Sequence, residues 1–279
     1  MTLIDSHAHL ELFEELEEVL GRAKRTGLTT IITIGTSLET SKRAVQIAER
    51  FSGENLKIYA TCGIHPNDGA EEVQNLGLSE VMGQLKKIAK SSKKVVGIGE
   101  CGLDYYEKSD KQSFSANKRQ ETGEKEKEFQ GKLFIEQVTL ANELDLPVVV
   151  HCRNGWGEIF ELLTINNKQL TNLKGVFHSF TGGVNEAKKA TGLGFYVSFS
   201  GIVTFKNAPL IQEAATKIPS DSILVETDSP YLAPEPFRGQ KNEPANVRIV
   251  AEFLAKLKGV PFDNFSDMTS KNAAKLFNL

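Results

Sequence analysis

Eight short apolar runs, each followed by residues at helical spacing, predict a single (β/α)8 barrel of the TIM type over residues 1–279. Two further observations agree. The runs lack polar alternation, so both faces of each strand are buried, as in a parallel sheet. All five histidines fall at the carboxyl ends of these runs, the face on which barrels build their sites. A doubly wound open sheet is the competing architecture, but no GxGxxG follows the first run. No linker divides the chain into two domains.

The elements follow in order. TLID (2–5) is the first strand, and Leu12, Leu16, Val19, Leu20 and Ala23 lie behind it at helical spacing. TTIITIG (29–35) is a nearly continuous apolar strand, followed by a helix with Ala44, Ile47, Ala48 and Phe51 on one side. IYATCG (58–63) is the third strand, Leu78 to Ala89 a helix, and VVGIGE (95–100) the fourth strand. Phe134, Val138, Ala141 and Leu144 mark a helix over 129–144, before the fifth strand, LPVVVH (146–151). A helix at 156–164 leads to GVFH (175–178), one at 184–191 to GFYVSF (194–199), and one at 207–216 to ILVET (223–227). Two helices, about 245–257 and 266–277, end the chain. One segment breaks the rhythm: Glu107 to Glu128 holds six acidic and six basic residues and little to bury. It reads as a charged, flexible insertion, solvated or acting as a lid over the site.

Composition narrows the function. The net charge of -3 gives no bulk attraction for nucleic acid, so such a partner must be gripped locally or through metal. Three cysteines, Cys62, Cys101 and Cys152, argue against a disulfide framework and fit a reducing compartment. No apolar run reaches membrane-spanning length, and DSHAHL followed by acidic residues is neither a signal nor a transit peptide. A cytoplasmic protein with no membrane partner is expected.

The histidines carry the chemistry. His7 and His9 follow the first strand, His65 the third, His151 ends the fifth, and His178 the sixth. Residues i and i+2 of a strand face one side, so His7 and His9 can chelate one ion, with Asp5 on the same side as a candidate to orient a ligand. Glu100 ends the fourth strand and Asp228 follows the eighth. A carboxylate there is costly to bury unless it is paired or binds metal. For Glu100 the plainer reading is a cap or salt bridge, and for Asp228 a turn before Pro230.

These motifs resemble the TatD family of metal-dependent deoxyribonucleases, within the amidohydrolase-like barrels. The resemblance rests on DSHAHL (5–10), GIHP (63–66), GIGECGLDYY (97–106), LPVVVHCR (146–153), FHSFTGG (177–183), SGIVTF (200–205) and ETDSPYLAPEPFRGQKNEP (226–244). It implies that His7 and His9 bind a first metal and that His151 and His178 bind a second. Glu100 would lie between them, and Asp228 at a metal and at the attacking water. The chain departs from the family pattern at Asn154, where an acidic residue is common after the HxR triplet, and in the length of the insertion at 107–128.

The reaction so implied is phosphodiester hydrolysis with two divalent cations, Mg²⁺, Zn²⁺ or Mn²⁺. Mixed ligands favour Zn²⁺ or Mn²⁺, and the family's usual assays favour Mg²⁺. Asp228 and Glu100 are the candidate catalytic groups. His65, Arg153 and Arg238 are candidates to hold a phosphate, and Tyr105, Tyr106 and Phe205 to stack on a base. For Arg153 a salt bridge to a rim carboxylate is an equal alternative. The expected activity is 3′–5′ exonuclease cleavage of single-stranded or frayed DNA by a monomer. Two alternatives are a hydrolase of a small amide, ester or lactone on the same barrel, and a metal-binding interaction protein without turnover.

Overall fold

The computed structural model describes residues 2–105, 123–167 and 173–279, with the backbone of the antiparallel pairs Lys108–Ser109 and Arg119–Gln120. Tyr106 and most of the charged insertion lie outside the described residues, whereas Glu124 to Glu128 open a long helix.

Eight parallel strands form the sheet: β1 (Leu3–Ala8), β2 (Leu28–Thr33), β3 (Lys57–Cys62), β4 (Val95–Asp104), β5 (Val148–Arg153), β6 (Gly175–Phe177), β7 (Tyr196–Phe199) and β8 (Ile223–Val225). They hydrogen-bond in chain order, giving a (β/α)8 barrel. The seam between β8 and β1 is built differently. Ala8 bridges Ser229, the Asp228 amide donates to the His7 carbonyl (2.9 Å), and the His9 amide donates to the Ser229 carbonyl (2.7 Å). Below that point side chains tie the edges: Ser6 Oγ donates to the Val225 carbonyl at 3.0 Å.

The helices are α1 (Leu16–Arg25), α2 (Leu38–Phe51), α3 (Gly69–Leu76), α4 (Leu78–Ala89), α5 (Glu124–Leu144), α6 (Trp156–Asn167), α7 (Val184–Gly192), α8 (Pro209–Lys217), α9 (Val247–Lys258) and α10 (Phe262–Phe277). Leu16, Val19, Leu20 and Ala23 place one buried stripe on α1, and Ser37 caps α2 by accepting the Thr40 amide. The main core lies between helices and sheet. A second core fills the barrel: Ile4, Ile32, Val96, Val149, Val176 and Leu224 meet Ala273, Leu276 and Phe277 of α10. Thus α10 plugs the amino-terminal mouth and leaves the carboxyl mouth open for a site.

Three sequence expectations are revised. Strand β4 runs to Asp104 and not to Glu100, with a register irregularity between Ile98 and Cys101 against β5. A helix not expected, α3, follows β3. The strict alternation expected after Leu3 fails between Asp5 and Ala8, where the β1–β2 register shifts. Asp5 accepts a hydrogen bond from the His7 amide at 3.3 Å, so it holds that residue through its backbone and not through its ring. It accepts hydrogen bonds from the Thr227 amide (2.9 Å) and hydroxyl (2.6 Å), fixing the segment that carries Asp228. Burial pushes its carboxyl up to about 8.

Candidate metal centre

His7, His9, Glu100, His151, His178 and Asp228 converge at the carboxyl mouth of the barrel. Glu100 divides the cluster. Its Oε2 lies 3.4 Å from His7 Nε2 and 3.8 Å from His9 Nε2. Its Oε1 lies 2.8 Å from both His151 Nδ1 and His178 Nε2. Asp228 Oδ1 completes the first half, 3.4 Å from His9 Nε2 and 3.7 Å from His7 Nε2. One carboxylate thus presents one oxygen to each half.

The local backbone aims these groups. Asp228 has φ 55° and Ser179 φ 40°, left-handed conformations that non-glycine residues adopt at some cost and that cluster at functional sites. Buried Asn242 holds the Asp228 segment, donating to the Thr227 carbonyl at 2.9 Å. Two buried glutamines seven residues apart on α5 fix the adjoining strand ends. Gln130 pairs with both backbone groups of Asp104, and Gln137 with both of Ile64.

Three histidines face a buried carboxylate with their outer nitrogen. His9 Nδ1 lies 3.6 Å from Glu11, His151 Nε2 3.4 Å from Asp104, and His178 Nδ1 3.5 Å from Glu226. Such partners set which imidazole nitrogen is left to bind a metal. Burial opposes charge on all three. For His9, bonds to Asp228 and Glu11 overcome it and push the imidazole up to about 10. Glu100 and Glu226 hold His178 well above its ordinary range, and Asp104 and Glu100 raise His151. Glu100 is likewise held well below the carboxylate range despite burial, by His178, His151 and His7.

The donor set fits divalent metal. His7 is fully buried, and neither ring nitrogen has a hydrogen-bond partner. Its Nε2 faces Glu100 and Asp228, and burying such a nitrogen is costly unless it binds something. Donor atoms of His7, His9 and Asp228 lie within 4.8 Å of one another, as do those of His7, Glu100 and His178. Nitrogen and oxygen donors in this mixture suit Zn²⁺ or Mn²⁺.

A cavity of about 650 Å³ opens above the cluster. His65 and Arg153 line it; Arg238 does not. The Asn67 amide donates to His65 Nδ1 (3.2 Å), so the neutral ring carries its hydrogen on Nε2, 3.6 Å from Glu100 Oε1. Burial lowers this imidazole to about 4. Arg153 forks onto Asp104 at 2.6 and 2.7 Å. Arg238 sits outside the cavity, over the Phe205 ring at 4.2 Å, with Nη1 donating to Asn207. Tyr105 packs against the core and is absent from the cavity lining.

Sequence reasoning did not single out Asp104, Glu226 or Glu11. A signal existed for the first two, since a carboxylate at the end of an apolar strand needs a partner. Asp104 supplies an acidic partner of His151.

An eight-stranded α/β barrel with a histidine–carboxylate cluster at its carboxyl mouth, divided by one glutamate, defines a metal-dependent hydrolase barrel. The chain belongs to the TatD family: the model of the family described as "TatD related DNase" matches residues 4–278. It is 36% identical over 281 residues to the Bacillus subtilis protein named uncharacterized metal-dependent hydrolase YabD, covering 99% of both chains. It is also 36% identical over 290 residues to the Escherichia coli K12 uncharacterized metal-dependent hydrolase YcfH, covering 100% of this chain and 97% of that one. Among solved structures, YJJV, a TatD homologue from Escherichia coli K12, superposes with TM-score 0.83 at 29% identity, covering 99% and 98% of the two chains.

Proposed function

We propose that this chain is a metal-dependent deoxyribonuclease of the cytoplasm, a monomer that removes nucleotides 3′–5′ from single-stranded or frayed DNA ends. The observation that carries the reading is Glu100, whose two oxygens face two separate groups of nitrogen donors. That arrangement suits a pair of cations placed to act on one phosphodiester. His7, His9 and Asp228 would hold one ion, and His151 and His178 the other. When bound, the cations would supply the positive charge that activates a water and neutralises the phosphoryl oxygens.

The remaining work falls to side chains. Asp228, charged at neutral pH because His9, His7 and His178 outweigh its burial, accepts the proton of the attacking water. His65 offers its Nε2 hydrogen to a phosphoryl oxygen. Arg153, held by Asp104 at the cavity wall, lends positive charge to the same group. A cavity of about 650 Å³ is the size of a small-ligand pocket, room for the end of one strand. The 3′–5′ direction rests on the family resemblance.

The test is degradation of end-labelled single- and double-stranded DNA after chelation, with each metal restored in turn. Stepwise shortening from the 3′ end, abolished by chelator, is expected. Intact DNA under every metal, with turnover of lactones or amides, would overturn the nuclease reading.

A further inference from the structure

The mouth of the cavity has two unlike sides. Thr36, Thr40, Asn67 and Arg153, from the ends of β2, β3 and β5, make one side polar. Leu12, Ile202, Tyr231 and Leu232 make the other apolar. These four come from the loops after β1, β7 and β8, which neighbour one another round the barrel, and all four line the cavity. Leu12 is 41% exposed and Tyr231 54% exposed, among the few large apolar side chains so open among the described residues. The Tyr231 ring meets the His9 ring edge-on, with centroids 5.8 Å apart, so the wall adjoins the metal centre directly. Its backbone is pinned as well: the Tyr231 amide donates to the Asp228 carbonyl, and Leu232 holds φ 52°.

A small anion needs no such wall, whereas a nucleotide presents a phosphate and a flat apolar base at once. We propose that Leu12, Ile202, Tyr231 and Leu232 form a nucleobase subsite. It holds the base of the nucleotide being removed, with Tyr231 as the stacking ring and the phosphate toward Arg153 and Asn67. This rests on the phosphodiesterase reading. The four side chains themselves offer a base edge one polar group, the Tyr231 hydroxyl, so the stack accepts any of the four bases. Stacking on one aromatic ring favours binding by roughly five- to 150-fold.

The experiment compares oligothymidylates whose terminal residues are either thymidine or an abasic tetrahydrofuran analogue, with the metal-loaded protein. Water adds to phosphorus and gives a proton to Asp228, the bond from phosphorus to the 3′ oxygen of the strand breaks, that oxygen takes up a proton as a hydroxyl, and the terminal nucleotide leaves as its 5′-monophosphate. The wild type is expected to release the thymidine nucleotide with kcat/KM about tenfold above the abasic one. Tyr231→Ala brings that ratio close to one, chiefly through KM, and Tyr231→Phe restores it. Bound metal and melting temperature, measured on each variant, confirm an intact centre. Equal release of both ends by the wild type, or a ratio that Tyr231→Ala leaves unchanged, overturns the subsite while leaving the nuclease reading standing. No release from either oligonucleotide under any metal overturns that reading and the subsite together.

Discussion

Glu100 and Glu226 show how differently two buried carboxylates act in one site. Glu100 lies within 4 Å of all five histidines, across both halves of the centre, so Glu100→Gln should lower the number of ions held per chain and reduce activity at least a hundredfold, as metal analysis and nuclease assay will show. Among the described residues, the Glu226 carboxylate meets the outer face of His178 and the Ser179 amide, the latter at 2.6 Å. Glu226→Gln should therefore keep the ligands and lower metal affinity by about 10- to 100-fold. Unchanged affinity would mean that Glu100 and the stack on His7, 3.9 Å away, fix His178 without Glu226. His9 gives a pH prediction for the metal-free protein. Its folded value of about 10 lies above the ordinary 6.5, so the fold binds this proton more tightly than the unfolded chain does. The resulting stability is fully present below about pH 6.5 and is lost as pH rises through about 10. Asp5, raised to about 8, has the same sign. Urea midpoints of the metal-free protein should fall between pH 6.5 and 9, and less steeply in His9→Gln. Metal must displace the His9 proton, so loading should release protons and tighten with pH, measurable by calorimetry in two buffers.

At the scale of elements, the sequence showed most where burial is symmetrical. Runs such as VVV at 148–150 are buried on both faces, and continuous apolar character marks that state without any alignment. The histidines were legible because each ends such a run. Boundaries were less so where the backbone is irregular. Gly102, φ 149°, sits inside β4, where a Cβ would collide with the His151 carbonyl oxygen. The fourth strand, expected to end at Glu100, continues because glycines at 99 and 102 allow close approach to β5 and carry it on to Asp104. Gly102→Ala should accordingly destabilise the fold by a few kcal/mol and displace Asp104 from His151. Urea unfolding and metal content report the two effects separately. For Asp5 period-two alternation presumes an unbroken ladder, whereas the register shifts before Ala8 and the carboxylate bonds to the His7 and Thr227 amides. The α10 plug was not foreseen at all. Its helical spacing shows one apolar face but not that the face closes the barrel. Phe277, 2% exposed among Ile4-layer residues, makes this testable, since Phe277→Ala should cost about 3–5 kcal/mol with metal affinity unaltered.

In the whole molecule, the centre and the barrel seam are mechanically one object. Six of the seven interfaces between neighbouring strands, β1–β2 through β6–β7, carry at least two paired residues, and β7–β8 carries three. Between β8 and β1 there is a single bridge, with side-chain ties from Asp5 and Ser6. His7 and His9 lie on one side of that seam and Asp228 on the other, so an ion held by all three would cross-link the weakest junction. Anything bound only by the folded state stabilises it, by about 2.7 kcal/mol at a free concentration one hundred times Kd. For a chain of this size that is a rise of several degrees in Tm. The gain should be local before it is global: adding Zn²⁺ or Mn²⁺ to chelated protein should slow hydrogen exchange at the His9 and Asp228 amides far more than at Ile31 or Ile58 in the β2–β3 ladder. Asp228→Asn, which weakens one side of the cross-link, should lose most of that protection and of the Tm rise, whereas Tyr231→Phe should keep both. Protection that spreads evenly over the eight strands, or that survives in Asp228→Asn, would show that the ion stabilises the barrel without bridging its seam.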